Sequence, residues 1–172
     1  MNEQKWILLA EDNLNDADLA ARALAANGDA ALVVVTHDGV QAMDCLHHRG
    51  EFHSRAGIGN PAVVLLDLKM PRMSGQEVLR QIRADPELKR IPVVAFTTSR
   101  EPEDVAQCYR LGVNAYVVKP VGFEELVTVL RELKAFWLEL NEAPPAEASE
   151  SLKRAPLRKS RTTRRRKLVP NL

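Results

Sequence analysis

Residues 62–71 read AVVLLDLKMP, an apolar run that leads directly into a carboxylate. Residues 62–66 are five apolar residues in succession, without the apolar–polar alternation of a strand that has one face in water. A short unbroken run of this kind is typical of a strand buried on both faces, as in a parallel sheet covered by helices. Asp67 follows the run directly. The sequence therefore predicts a buried parallel strand with a carboxylate at its carboxyl end.

Four similar apolar runs lie elsewhere in the chain. The five predicted strands are Trp6–Ala10, Ala30–Val35, Ala62–Leu66, Pro92–Phe96 and Ala115–Val118. Segments with helical patterns lie at 13–27, 38–49, 74–84, 101–111 and 122–140. Five βα units in succession predict an α/β, doubly wound fold: a five-stranded parallel sheet with five helices on its two faces.

The charge of the chain is unevenly divided along its length. The 172 residues have a net charge of +1, but all 23 acidic residues lie in 1–150 and nine of the 24 basic residues lie beyond, so residues 1–150 carry −8 and residues 151–172 carry +9. Residues 141–172 show no apolar period. We therefore expect one domain over 1–140 and a basic, disordered extension over 141–172.

Composition excludes several classes of protein. No run approaches the roughly 18 consecutive apolar residues of a transmembrane span, and the first residues do not have the pattern of a secretory signal. Two cysteines, Cys45 and Cys108, are too few for a disulfide framework. We expect a cytoplasmic protein whose two thiols are reduced and structural.

Polar side chains follow four of the five predicted strands. Glu11 and Asp12 come after the first strand, Asp67 after the third, Thr97 after the fourth and Lys119 after the fifth. Because ligands bind at the carboxyl ends of the strands in open α/β sheets, these side chains are expected to form one site. The alternative is that these charged residues lie in solvated loops and form no site. Each further strand end that carries such a residue makes this alternative less probable.

The residue types indicate the chemistry of that site. Three carboxylates at one sheet edge repel one another unless a cation lies between them, and hard oxygen ligands without histidine or cysteine suit Mg²⁺. A carboxylate can also act as a nucleophile and form an aspartyl phosphate. A lysine, a hydroxyl group and Mg²⁺ would then stabilise the charge of the transferred phosphoryl group.

Four stretches together resemble one known family. They read ILLAEDN at 7–13, LLDLKMP at 65–71 with SG at 74–75, AFTTS at 95–99, and AYVVKP at 115–120. Over about 5–140 the chain resembles the receiver domain of two-component response regulators. The resemblance implies a flavodoxin-like sheet of strand order 2-1-3-4-5, and a protein that signals through a changed interaction surface after phosphorylation by a histidine kinase.

The same resemblance implies roles for individual residues. Asp67 would accept the phosphoryl group. Asp12 would bind Mg²⁺ directly, Glu11 would do so mostly through water, and Lys69 would offer its backbone carbonyl.

Three further residues would respond to the phosphoryl group. Lys119 would contact it, Thr97 would hydrogen-bond it, and Tyr116 would move inward as the switch. The Lys119–Pro120 bond resembles a cis peptide of the family.

A narrower resemblance concerns stand-alone receivers that partner bacterial phytochrome kinases. They share the longer segment between the second helix and the third strand, which here runs from 49–52 to 60–61. They also share a last helix that ends in a form like FWLE at 136–139. The expected partner is a sensor histidine kinase of the bacteriophytochrome type.

The last helix carries more apolar residues than one core face needs. At about 100° per residue its apolar positions cover an arc of roughly 180°, which includes Val129, Phe136 and Trp137. A cluster of this size favours a protein–protein surface, and we expect a twofold homodimer through this helix. One partly exposed aromatic residue would alone need no such explanation.

Two other functions compete with the phosphorylation switch. A phosphatase on a related fold would use Asp67 as its nucleophile, but such enzymes usually have a second acid two residues later, where this chain has Lys69. The basic tail could instead bind nucleic acid through phosphate contacts, or only solubilise the chain. Because no helix-turn-helix pattern follows the receiver, sequence-specific DNA recognition is not expected.

Overall fold

The computed structural model describes residues 5–25 and 33–144. Within them, five strands pair in parallel in the order β2-β1-β3-β4-β5. The strands are β1 (Ile7–Ala10), β2 (Val33–Thr36), β3 (Val63–Leu66), β4 (Val93–Thr97) and β5 (Ala115–Val118). The predicted doubly wound fold and its strand order are confirmed.

Five α-helices connect or follow the strands. They are α1 (Leu14–Leu24), α2 (Gly39–Leu46), α3 (Gly75–Ala84), α4 (Pro102–Arg110) and α5 (Phe123–Lys134). Asn13, Asp38 and Ser74 cap the first three helices, each by accepting hydrogen bonds from backbone amides of the first turn. These side chains satisfy amides that have no partner inside the helix, and so determine where each helix begins.

The sheet separates two apolar layers. Alternate strand residues such as Leu8 and Leu66 face α2 and α3, whereas Leu9 and Phe96 face the layer built with α1 and α5. Because side chains alternate between the two faces of a strand, both faces of each central strand must be apolar. This burial of both faces explains why the strands are unbroken apolar runs in the sequence.

The element boundaries differ from the predicted ones by a few residues. β4 extends to Thr97, one residue past the predicted strand. The predicted start of β2 at 30–32 and the end of α1 at 26–27 lie outside the described residues, as do the tail residues 145–172. A short 3-10 helix at Gly50–Arg55, which was not predicted, occupies the longer segment before β3.

The prediction that Trp137 lies on the uncovered arc of the last helix is wrong. α5 continues into a π-helical turn at Ala135–Leu140, where the amide of Asn141 donates to the carbonyl of Phe136 over 2.7 Å. At about 100° per residue, Trp137 lies within about 20° of the fully buried Leu130, so ordinary helical periodicity places it at the centre of the core-facing arc and not at its uncovered edge. Trp137 is only 9% exposed and packs in the core, whereas Phe136 is 46% exposed.

Among the described helices, none has both the length and the apolar character needed to cross a membrane.

Candidate functional site

Three carboxylates meet where β1 and β3 end. Glu11 and Asp12 follow β1, Asp67 follows β3, and the amide of Asp67 donates to the carbonyl of Ala10 over 3.0 Å, which holds the two strand ends together. One carboxylate oxygen from each acid lies within 4.8 Å of the other two. Glu11 and Asp67 are buried, and Asp12 is exposed. The three predicted metal acids therefore form one cluster with an open side.

Lys119 closes the buried side of this cluster. Its Nζ donates to the Oδ2 of Asp67 over 2.8 Å and also pairs with the Oε2 of Glu11. Burial lowers the pKa of the Lys119 ammonium, but its hydrogen bonds to Asp67 and Glu11 and the charges of these acids together raise the pKa above its ordinary value. The lysine is therefore fully charged at neutral pH.

Glu11 experiences opposing effects. Burial raises the pKa of its carboxyl group above the ordinary value, although the hydrogen bond and the positive charge of Lys119 act to lower it. Its Oε1 accepts a hydrogen bond from the amide of Asn13 over 3.1 Å. Glu11 is thus occupied by protein partners on both oxygens, while Asp12 extends into solvent.

A chain of hydrogen bonds joins the ends of β4 and β5. Thr97 is fully buried at the end of β4, and its Oγ1 accepts from the amide of Ser99 over 3.3 Å. The carbonyl of Ser99 accepts from the Tyr116 hydroxyl over 3.1 Å. Ser99 Oγ donates to Asp104 at the start of α4 over 2.5 Å. Thr97 and Tyr116, two predicted switch residues, are therefore linked through Ser99.

Tyr116 is half-buried in β5. Burial raises the pKa of its phenol above the ordinary value, and the hydrogen bond to Ser99 partly offsets that effect. The hydroxyl group is consequently protonated at neutral pH and acts as the donor to Ser99.

Two further predictions concern backbone groups beside the acids. The amide of Lys69 donates to the Oδ1 of Asp67 over 3.3 Å, which fixes the loop close to the carboxylate. The predicted cis bond before Pro120 is wrong, since the described residues contain no cis peptide bond. Cis and trans forms before proline differ by only about 0.5–1 kcal/mol, so a resemblance in sequence does not decide between them.

The donor set fits a hard divalent cation. Glu11, Asp12 and Asp67 offer carboxylate oxygens only, the ligand type preferred by Mg²⁺ and Mn²⁺. Asp12, on the exposed side, leaves room for the waters that Mg²⁺ retains. The same cluster holds a buried carboxylate beside an ammonium group, the combination that an acyl phosphate requires.

Comparison with known proteins identifies the family. The model of the response regulator receiver domain matches residues 7–131. The chain belongs to the response regulator receiver family. The match contains all four strand ends that form the site. Receiver domains are phospho-acceptors and generally not enzymes, so the function is that of a phosphoryl-accepting response regulator, and the phosphatase alternative has no support among these relatives.

Individual relatives within this family include cyanobacterial response regulators. The receiver is 37% identical over 145 residues to response regulator Rcp1 of Synechocystis sp., covering 84% of this chain and 97% of Rcp1. The crystal structure of the phosphorylated cyanobacterial phytochrome response regulator RcpA aligns with a TM-score of 0.75 at 39% identity, covering 83% of this chain and 99% of RcpA. The Mn²⁺-bound form of Rcp1 aligns with a TM-score of 0.72 at 36% identity, covering 82% and 99%. RcpA, a phytochrome response regulator, agrees with the narrower resemblance to phytochrome-linked receivers.

The sequence did not assign a role to every residue that shapes the site. Ser99 lies in the stretch AFTTS at 95–99, but its link between Thr97 and Tyr116 depends on side-chain geometry. Asp38 and Arg72 form an ion pair of 2.9 Å between two loops at this edge of the sheet. The sequence signal for Asp38 is an aspartate directly before a helix, which predicts a cap but not a partner.

Proposed function

We propose that the receiver accepts a phosphoryl group on Asp67 from the phosphohistidine of a sensor kinase. A carboxylate oxygen of Asp67 attacks phosphorus, the P–N bond breaks, and the histidine nitrogen leaves with the electron pair. The observation that carries this proposal is the buried Asp67 carboxylate, held among two other acids with the Lys119 ammonium 2.8 Å away. The positive charge fits the charge that accumulates on the phosphoryl oxygens.

Glu11, Asp12 and Asp67 would hold the metal, which we propose is Mg²⁺, together with the backbone carbonyl of Lys69. The bound cation supplies charge neutralisation for the phosphoryl oxygens. Asp12, which is exposed, would bind it directly, and Glu11, already paired with Lys119, would do so mostly through water.

Lys119 and Thr97 would contact the phosphoryl group once it is formed. The Thr97 hydroxyl accepts from Ser99, whose carbonyl in turn accepts from Tyr116. If the Thr97 hydroxyl moves to donate to a phosphoryl oxygen, it draws away from the Ser99 amide and so disturbs the contact that holds Tyr116. We propose that this route shifts the population of Tyr116 conformers and alters the surface of α4, β5 and α5.

The kinase would be of the phytochrome type. Support comes from RcpA, a phytochrome response regulator, which shares 39% of its residues with this receiver. The activity would be confined to phosphoryl acceptance and slow hydrolysis of the acyl phosphate, and the protein would act in the cytoplasm. Phosphotransfer from each histidine kinase of the host tests this assignment directly.

The homodimer remains a proposal, and because Trp137 is buried, its apolar contact surface is smaller than the sequence predicted. Phe136 and Leu140 are exposed at the end of the last helix, and Val129 is partly exposed. Burial of such side chains contributes roughly 1.5–3 kcal/mol each, which supports a twofold contact through this helix.

The proposed division is a receiver over 1–140 and a basic tail over 141–172. The tail carries nine basic residues and would add salt-sensitive, sequence-independent affinity for DNA or RNA. Truncation after residue 150 should remove that affinity and its salt dependence. An unchanged salt dependence would exclude the tail as the binding segment.

The phosphorylation site is tested with acetyl phosphate and Mg²⁺. Asp67→Asn should abolish the base-labile 80 Da adduct in mass spectrometry, because an amide cannot form an acyl phosphate. Asp44→Asn is the matched control, since Asp44 is a partly exposed acid of α2 paired with Arg49. Stoichiometric phosphorylation of the Asp67 variant would overturn the assignment.

A further inference from the structure

An ion pair joins the loop that follows Asp67 to the start of α2. Arg72 lies in this loop, residues 68–74, and its Nη1 donates to the Oδ2 of Asp38 over 2.9 Å. The Asp38 side chain is only 9% exposed, whereas that of Arg72 is 58% exposed. A charged donor on a largely buried carboxylate forms a stronger contact than a pair in which both groups are in water.

Asp38 is a fixed anchor because the helix already holds it. Its Oδ1 accepts from the amide of Gln41 over 2.8 Å as the cap of α2, which leaves Oδ2 for Arg72. The neighbouring His37 contacts the carbonyl of Glu11 through Nδ1 over 3.2 Å. The segment 37–38, to which Arg72 binds through Asp38, is therefore itself hydrogen-bonded to the acidic cluster.

The loop is confined at both of its ends. A Cβ added to Gly39 at the start of α2 would lie 2.3 Å from the carbonyl oxygen of Met73, and one added to Gly75 would lie 2.1 Å from that of Asp67. The amide of Gly75 donates to the carbonyl of Leu68 over 2.9 Å. Because backbone approaches backbone this closely, a shift of the loop would move Asp67.

Arg72 also has a backbone conformation that side chains rarely adopt. Its φ of 64° lies in the left-handed region, where glycine is favoured. The loop therefore retains a strained arginine at the position that reaches Asp38. Strain of this kind persists only where contacts such as the Asp38 ion pair maintain it.

We propose that Arg72 is a positioning residue for the metal and phosphoryl site. Through Asp38 it holds loop 68–74 against α2, and so keeps the Asp67 carboxylate and the Lys69 backbone in the arrangement that a divalent cation requires. Arg72 acts through Asp38 and does not itself contact the bound cation or the phosphoryl group. The inference rests on the proposed function of Asp67.

The test measures Mg²⁺ affinity by calorimetry in the full chain. Arg72→Met and Asp38→Asn should each weaken binding by about three- to tenfold, less than loss of a group hydrogen-bonded directly to a ligand. Asparagine keeps the cap of α2. The double variant should lose little more than either single one, because both remove the same contact. Arg72→Lys should restore part of the affinity.

Two variants separate positioning from stability. Arg72→Gly relieves the left-handed backbone, so it should unfold at a temperature no lower than wild type yet bind Mg²⁺ as weakly as Arg72→Met. Arg80→Met is the matched control, since Arg80 is 53% exposed and pairs with Glu77 inside α3. Its affinity should stay within about twofold of wild type.

The phosphorylation rate provides a second readout. With acetyl phosphate, Arg72→Met should be slower than wild type at limiting Mg²⁺ and equal to it at saturating Mg²⁺. Wild-type affinity in Arg72→Met, or losses that add in the double variant, would overturn the positioning role alone. Failure of wild type to bind Mg²⁺, or phosphorylation of Asp67→Asn, would instead overturn the proposed function.

Discussion

The Nζ of Lys119 lies 2.8 Å from the Oδ2 of Asp67, with both groups buried. The same ammonium pairs with Glu11. One cation thus compensates two buried carboxylates that come from different strands. The stability and the chemistry of the site both depend on this lysine.

Replacement of Lys119 by methionine should destabilise the protein in a pH-dependent way. Without the ammonium, two buried carboxylates face each other, and unfolding at pH 7 in EDTA should require about 3 kcal/mol less. The pKa of Glu11, already raised by burial, should rise further. A carboxyl group with a raised pKa stabilises the fold when it is protonated, and this stabilisation is lost as pH rises. The difference in unfolding free energy between the variant and wild type should therefore shrink near pH 5.

Urea titration at pH 5 and pH 8 measures this deficit. Lys69→Met is the control because Lys69 is exposed beside the same site, and its stability should change by less than about 0.5 kcal/mol. A deficit of equal size at both pH values would contradict the electrostatic explanation.

Mg²⁺ binding should depend more on Asp12 than on Glu11. Asp12 is exposed at the open side of the cluster, whereas both oxygens of Glu11 have protein partners. Asp12→Asn should therefore lose at least about tenfold in affinity, by analogy with loss of a metal ligand, and Glu11→Gln clearly less. Calorimetric titration of the two variants with Mg²⁺ or Mn²⁺ measures these affinities. Equal losses of affinity in the two variants would refute the roles assigned to Asp12 and Glu11.

Arg83 should contribute to stability without affecting phosphorylation. Its guanidinium donates to the carbonyls of Gly112, Lys89 and Ile91 and to the side chain of Asn114 at 2.8–3.2 Å. These acceptors precede β4 and β5, at the sheet edge opposite the acids. Arg83→Met should lower the free energy of unfolding by about 2–3 kcal/mol, and Arg80→Met by less than about 0.5 kcal/mol.

Denaturant titration and acetyl phosphate kinetics together test the Arg83 prediction. The phosphorylation rate of the folded Arg83 variant should equal that of wild type. A slower rate at unchanged stability would show that Arg83 acts on the site.

The two buried thiols should make stability fall in alkaline solution. Burial raises the pKa of Cys45 and of Cys108 from 9.0 to about 11. The unfolded chain releases these protons near pH 9 and the folded protein only near pH 11, so stability is lost as pH rises between them. The loss should reach up to about 1.4 kcal/mol per pH unit for each thiol.

Replacement of both cysteines by alanine provides the comparison. The double variant should be less stable at every pH because of the cavities it leaves, but its stability should fall less steeply between pH 9 and 11. Parallel curves for the two proteins would contradict the thiol explanation.

Phe136 and Trp137 should respond differently to a charge. Phe136→Glu should yield a folded monomer, because the side chain is exposed at the proposed dimer contact. Trp137→Glu should unfold or lose about 3–5 kcal/mol, because it removes a buried ring and places a carboxylate in the core. Light scattering and circular dichroism measure both outcomes; a wild-type monomer would end the dimer proposal.

The order of residues along the chain was enough to predict the sheet and the location of the site. The run at 62–66 has no polar residue, as a strand covered on both faces requires, and its five residues are too few for a buried helix. Parallel strands end at one edge, so Glu11, Asp12, Asp67 and Lys119 had to converge there. These conclusions need only the order of residues along the chain.

Packing between elements determines which side chains are covered and which distant loops meet, and the sequence pattern did not predict either. Phe136 and Trp137 belong to the same apolar arc of the last helix, but the packing of that helix on the sheet buries Trp137 and leaves Phe136 46% exposed. Arg72 reaches Asp38 across 34 residues because α2 and loop 68–74 pack closely at Gly39. Local patterns report the period of one element, whereas contacts between elements depend on the geometry of both.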